Sequence, residues 1–152
     1  MTPLTDTERG YTITHTFDAP RELVWQAWTR PEHFAVWFGT AEVPMLDVEL
    51  DVRPGGEWTG RMLYEGDEIP WRGIYREVVE PERLVVDMAD GGSQEYETLT
   101  MTLTPLDDGR TEMVLRQTGH MTDEQYEDAK IGTLAFVEAM DDLLITLKER
   151  HD

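Results

Sequence analysis

The chain has 152 residues, enough for one domain with a proper core. Thirteen Lys and Arg against 32 Asp and Glu leave a net charge of −19, which argues against binding to nucleic acid or to anionic membranes. Hydrophobic residues make up 39%, with five Trp, five Tyr and four Phe, so the chain is globular rather than disordered. The absence of Cys excludes disulfides, thiolate catalysis and Cys-ligated metals.

No apolar run approaches the roughly 18 residues that a membrane span needs. The start Met1-Thr2-Pro3-Leu4-Thr5-Asp6 has neither a basic nor an apolar signal segment. A cytoplasmic protein with no membrane insertion is expected.

Residues 1–9 are polar and read as a flexible tail, and residues 10–152 as a single domain. Tyr11 to Phe17 alternates as a strand, with Tyr11, Ile13, His15 and Phe17 on one face and Thr on the other. Pro20 opens a first short helix to Thr29, and Pro31 opens a second to Phe38, where Gly39 can cap the end. Pro suits the first helical position because its missing N–H is not needed there.

Strands follow at Leu46–Val52, Glu57–Tyr64, Ile69–Val79, Leu84–Met88, Tyr96–Thr104 and Thr111–Thr118. Turns fall at Pro54-Gly55-Gly56, Glu65-Gly66-Asp67, Glu80-Pro81-Glu82, Ala89 to Ser93 and Asp107-Asp108-Gly109. The final element is a long helix from Thr122 to about Arg150, with Thr122 and Gln125 forming a capping box. Its apolar stripe runs Ala129, Gly132, Phe136, Ala139, Met140, Leu143, Leu144, Leu147, while Ile131, Leu134 and Ile145 lie nearly opposite. Short connections make the sheet antiparallel, and one apolar sheet face plus one amphipathic helix bury each other. An α+β fold follows: a curved seven-stranded antiparallel sheet around a long C-terminal helix, with two short helices between the first and second strands.

The run Phe17-Asp18-Ala19-Pro20 through Val24-Trp25-Gln26-Ala27-Trp28-Thr29, Pro31-Glu32 and Trp37-Phe38-Gly39 resembles the START-like, helix-grip superfamily called SRPBCC. So do Arg53 to Trp58, Trp71-Arg72-Gly73-Ile74-Tyr75 and Val79 to Leu84. The branch it resembles most is that of the activator of heat-shock-protein-90 ATPase. The resemblance covers about Tyr11 to Leu147 and implies the helix-grip fold, with a cavity between sheet and helix. It does not name an activity, because this fold hosts carriers, receptors and enzymes alike. Two departures stand out. The branch carries Gly-Trp in the last helix where this chain has Ala135-Phe136, so the cavity floor is expected to differ in shape. The eukaryotic activators carry a further chaperone-engaging N-terminal domain, and here only a short tail precedes Tyr11, so direct chaperone activation is doubtful.

Trp58, Trp71, Tyr75 and Tyr64 share one face with Gly60 and Gly73 between them, which reads either as a pocket wall or as ordinary aromatic core. Glu97 alternates inward with Leu99, Met101 and Leu103. It is either a polar anchor inside the cavity or a residue in water at the strand end. His15 lies near the last strand, with Gln117 as neighbour, and suits a hydrogen bond to the final helix or, less simply, acid–base work. The candidate ligand-binding set is Trp37, Trp58, Trp71, Tyr75, Glu97, Gln117, Phe136 and Met140; no catalytic residue is assigned. The histidines lack metal-ligand spacing, and no metal or cofactor is expected. Asp107-Asp108, Asp123-Glu124 and Asp141-Asp142 read as turn, cap and solvated-face residues. The expected function is binding of a small apolar or lipid-like molecule. The alternatives are a protein-interaction or chaperone and stress-response module, a homodimer being possible, and a cavity enzyme of cyclase or hydrolase type using His15, Glu97 and Gln117.

Overall fold

A computed structural model describes residues 9–38, 45–90, 96–119 and 121–151. Of the loop expected at Ala89 to Ser93, Ala89 and Asp90 belong to a strand, and its remainder lies outside the described residues, as do the expected Gly39 cap, His120 and the tail before Arg9. The elements run β1 (Arg9–Phe17), α1 (Arg21–Thr29), α2 (Pro31–Trp37), β2 (Met45–Leu50), β3 (Glu57–Tyr64), β4 (Asp67–Val79), β5 (Arg83–Asp90), β6 (Glu97–Pro105), β7 (Thr111–Gly119) and α3 (Asp123–His151). The seven strands form one antiparallel sheet in the order β1-β7-β6-β5-β4-β3-β2. After β1 crosses to the far edge through the two short helices, every strand pairs with its predecessor, and β7 returns to close on β1.

Local chemistry sets the turns. Tyr64 pairs with Asp67 across Glu65 and Gly66, both at positive φ (51° and 86°), the backbone a two-residue hairpin requires. Gly56 is irreplaceable for another reason: a Cβ there would lie 2.0 Å from the Asp51 carbonyl oxygen. At the start of α3 the capping box is reciprocal. The Thr122 amide donates to Gln125 Oε1 (2.8 Å), and the Gln125 amide donates to Thr122 Oγ1 (3.1 Å).

Two strands depart from simple alternation. In β2, Asp47 takes φ 52° and the register slips between Leu46 and Glu49, so Asp47 and Val48 together oppose Gly60. In β4, Tyr75 pairs with Val86 and Glu77 with Val85, leaving Arg76 as the extra residue. That bulge resets the parity: Trp71, Gly73 and Tyr75 face inward before it, and Val78 packs against the core after it.

The core joins the inner sheet face to α1, α2 and α3. Phe17, Leu103, Met113 and Met140 are fully enclosed in it. Thr111 is buried among them, and its hydroxyl donates to the Ala19 carbonyl (2.8 Å), tying the start of β7 to the turn after β1. The face of α3 turned to the core carries Tyr126, Val137, Met140, Leu144 and Leu147. Ile131, Leu134 and Ile145 are exposed on the other side.

Candidate functional site: a cavity between the sheet and the last helix

A cavity of about 540 Å³ opens between the sheet and α3. Its sheet wall comes from Tyr11 on β1, Trp71 on β4, Met88 and Ala89 on β5, and Leu99 and Leu115 on β6 and β7. Its helix wall is Ala129, Gly132, Thr133 and Phe136 of α3. The end toward the short helices is closed by Trp28, Trp37 and Phe38. Small residues leave the room. Ala89 and Ala129 carry one carbon each, and a Cβ at Gly132 would meet nothing within 4 Å.

The aromatic wall is continuous. Trp28 and Trp37 lie with ring centroids 4.7 Å apart, and Phe38 stands 5.2 Å from Phe136 and 5.4 Å from Trp71. Its indole N–H groups differ in what they do. Trp37 Nε1 donates to the Ala27 carbonyl at 2.6 Å. Trp28 Nε1 and Trp71 Nε1 are buried and have no acceptor among the described residues. A buried donor without a partner costs about 1–3 kcal/mol, so native structures hold few of them.

A directed hydrogen-bond chain crosses the opposite wall. Strand pairing sets Tyr11 opposite Gln117, and Gln117 opposite Leu99, two residues from Glu97. The Tyr11 hydroxyl donates to Gln117 Oε1 (2.7 Å), so it must accept from Thr133 Oγ1 (2.6 Å). Gln117 Nε2 donates to Glu97 Oε1 (3.0 Å), and the Tyr126 hydroxyl donates to the same oxygen (2.8 Å). Tyr126 in turn accepts from the Met121 amide (3.3 Å). Every proton in the chain points toward Glu97, whose Oε1 accepts from both Gln117 and Tyr126. Gly119 makes room for it: a Cβ there would lie 1.9 Å from Glu97 Oε2. Burial, opposed in part by the Thr133 hydrogen bond, pushes the Tyr11 phenol above its ordinary range, and the Glu97 charge adds to the rise. Tyr75, buried deeper in the core, is raised further by desolvation, with a smaller contribution from Asp51.

Of the residues singled out in the sequence, Trp37, Trp71, Glu97, Gln117 and Phe136 stand together on the cavity wall. Trp58, Tyr75 and Met140 do not; all three are sealed in the core. The reason for Trp58 is its pairing with Gly73. The indole occupies the space a side chain at 73 would take, 1.9 Å from where a Cβ would be. Met45 likewise fills the space over Gly60. The two glycines therefore seat neighbouring side chains and do not enlarge the cavity.

His15 stands apart from Glu97 and Gln117. It pairs with Met113 on the neighbouring strand, and its Nε2 lies 3.0 Å from Asp141 Oδ1 on α3. The triad His15, Glu97 and Gln117 is not assembled, and Asp141 is a partner of His15 instead of a purely solvated residue. Among the described residues no three His, Asp or Glu are grouped as metal ligands.

Tyr11, Trp28, Thr133 and Tyr126 complete the site and were not picked out from the sequence. Tyr11 already stood on an inward strand face, and Thr133 and Tyr126 sit at 3-4 spacing with Ala129 and Val137. A polar residue within an apolar stripe was the available signal.

The architecture defines a helix-grip α+β protein, with a long helix held against a curved antiparallel sheet. The family model described as Activator of Hsp90 ATPase homolog 1-like protein matches residues 18–145, and the chain belongs to that family. Solved structures agree on the fold. A protein from Chromobacterium violaceum shares 24% identity, covering 89% of this chain and 96% of its own, with a TM-score of 0.81. A Nitrosomonas europaea protein shares 25% identity over 92% of this chain and 96% of its own, with a TM-score of 0.77. A Staphylococcus epidermidis protein, at 18% identity, covers 92% of each chain with a TM-score of 0.79. Comparison with curated proteins finds no match.

Proposed function

We propose that this protein binds a small, largely apolar molecule in the cavity between the sheet and α3. The observation that carries the reading is the cavity itself: about 540 Å³, walled mainly by aromatic and aliphatic side chains, with a few fixed polar groups at one side. That is the ordinary character of a small-molecule site. The two methionines on its wall, Met88 and Met121, suit a surface that adapts to ligand shape.

The test uses Nile red, a neutral dye that brightens in apolar surroundings. Wild type should bind it at one site. Gly132→Phe places bulk at the cavity wall, where a Cβ meets no neighbour, and replaces a poor helix former. It should weaken dye binding about tenfold or more and leave the melting temperature unchanged or raised. Phe136→Ala, which removes part of the aromatic wall, should also change dye affinity. Unchanged binding in both variants, with the fold intact, would contradict the cavity reading.

A further inference from the structure

We propose that the ligand is an alcohol, an apolar body carrying a hydroxyl, and that this hydroxyl donates a hydrogen bond to Thr133 Oγ1 on the cavity wall. This rests on the reading of the cavity as a ligand site and names the polar group that site selects.

The direction of the hydrogen bonds along the wall carries the inference. A phenol has one proton to give, and burial keeps the Tyr11 phenol in its protonated form. Tyr11 donates that proton to Gln117 Oε1, 2.7 Å away. Thr133 Oγ1, 2.6 Å from the phenol oxygen, therefore donates its own proton to Tyr11. With its proton committed, the Thr133 hydroxyl can meet a further group only as an acceptor. No other described residue bonds to it. Thr133 stands on the cavity wall beside Ala129, Gly132 and Phe136, where a ligand would lie.

The far end of the chain runs the same way, since Gln117 turns its amide nitrogen to Glu97 Oε1. The wall thus offers the lone pairs of Thr133 to a donor, and to an acceptor the second N–H of Gln117 Nε2. A hydroxyl serves at either place, because it both donates and accepts. A ketone or an ether only accepts, and it leaves Thr133 unmet. A polar atom left unpaired in a largely apolar cavity is costly, so the direction of the bond discriminates between ligands of one shape.

Three naphthalenes of matched size test this by displacement of Nile red: 2-naphthalenemethanol, its isomer 2-methoxynaphthalene, which only accepts, and 2-ethylnaphthalene, which does neither. Wild type should bind the alcohol about fivefold more tightly than the ether, on the scale of one net hydrogen bond. Thr133→Val removes the acceptor at nearly constant shape and should abolish that preference. Thr133→Ser keeps the hydroxyl and should retain it. Ethylnaphthalene affinity should stay within about twofold in both variants.

Tyr11→Phe tests the direction itself. It removes the group that takes the Thr133 proton, so that proton is released to meet an ether oxygen. The ether should then gain on the alcohol about threefold or more, whereas a merely structural disturbance would weaken all three compounds together. An ether as tight as the alcohol in wild type, a preference that survives Thr133→Val, or an ether that gains nothing in Tyr11→Phe would each overturn the inference and leave the cavity reading standing. Three compounds that leave bound Nile red in place would do the same. Failure of Nile red itself to bind wild type would overturn both.

Discussion

Glu97 Oε1 accepts hydrogen bonds from Gln117 Nε2 and from the Tyr126 hydroxyl. Replacing it shows whether that oxygen is needed as a charge or only as an acceptor. Glu97→Gln keeps an acceptor oxygen on the same stem, so stability should shift by about 1 kcal/mol or less in urea unfolding. Glu97→Leu leaves the Gln117 amide and the Tyr126 hydroxyl without their acceptor and should cost about 1–3 kcal/mol. Equal losses in both variants would show that the charge matters and not the hydrogen-bond geometry. Strand alternation made the inward placement of Glu97 legible, together with its neighbour Gln117. It could not reveal Tyr126. That contact depends on where the first turns of α3 lie over the start of β6, which no local pattern encodes. His15 illustrates the same limit. A hydrogen bond to the final helix was readable as a class of contact, and its partner Asp141, 126 positions away, was not.

At the scale of the element, period-2 and 3.6-residue patterns placed all seven strands and three helices close to their observed bounds. The bulges at Asp47-Val48 and Arg76 were illegible, because a bulge depends on how two strands register against each other. In α3 the buried axis runs slightly to one side of the stripe that apolar spacing predicts: Val137 and Tyr126 are buried, whereas Gly132 is exposed at the cavity wall. A pair of substitutions tests which face grips the sheet. Met140 is 0% exposed, and Met140→Ala should cost about 2–5 kcal/mol in a urea melt. Ile145 is 58% exposed, and Ile145→Ala should stay within about 0.5 kcal/mol of wild type. Similar losses at both positions would mean that the outer face of α3 is also packed, against another molecule.

At the scale of the whole molecule, element order alone implied the helix-grip fold, because a single apolar sheet face and one long amphipathic helix leave few other ways to bury both. The cavity was expected, but its location was not readable. Of the two readings open for Gly60 and Gly73, pocket wall or aromatic core, the second holds: Met45 and Trp58 fill the space over them. The cavity lies beside Ala89, Ala129 and Gly132, small residues of β5 and α3 that only the folded chain brings together. Family membership fixes the architecture and names no activity. The most direct measurement is a crystal structure of the protein grown with saturating 2-naphthalenemethanol. Density for the compound between the sheet and α3, against Phe136 and Leu99, is the expected result. Density only on the outer surface, or none at saturation, would contradict the account.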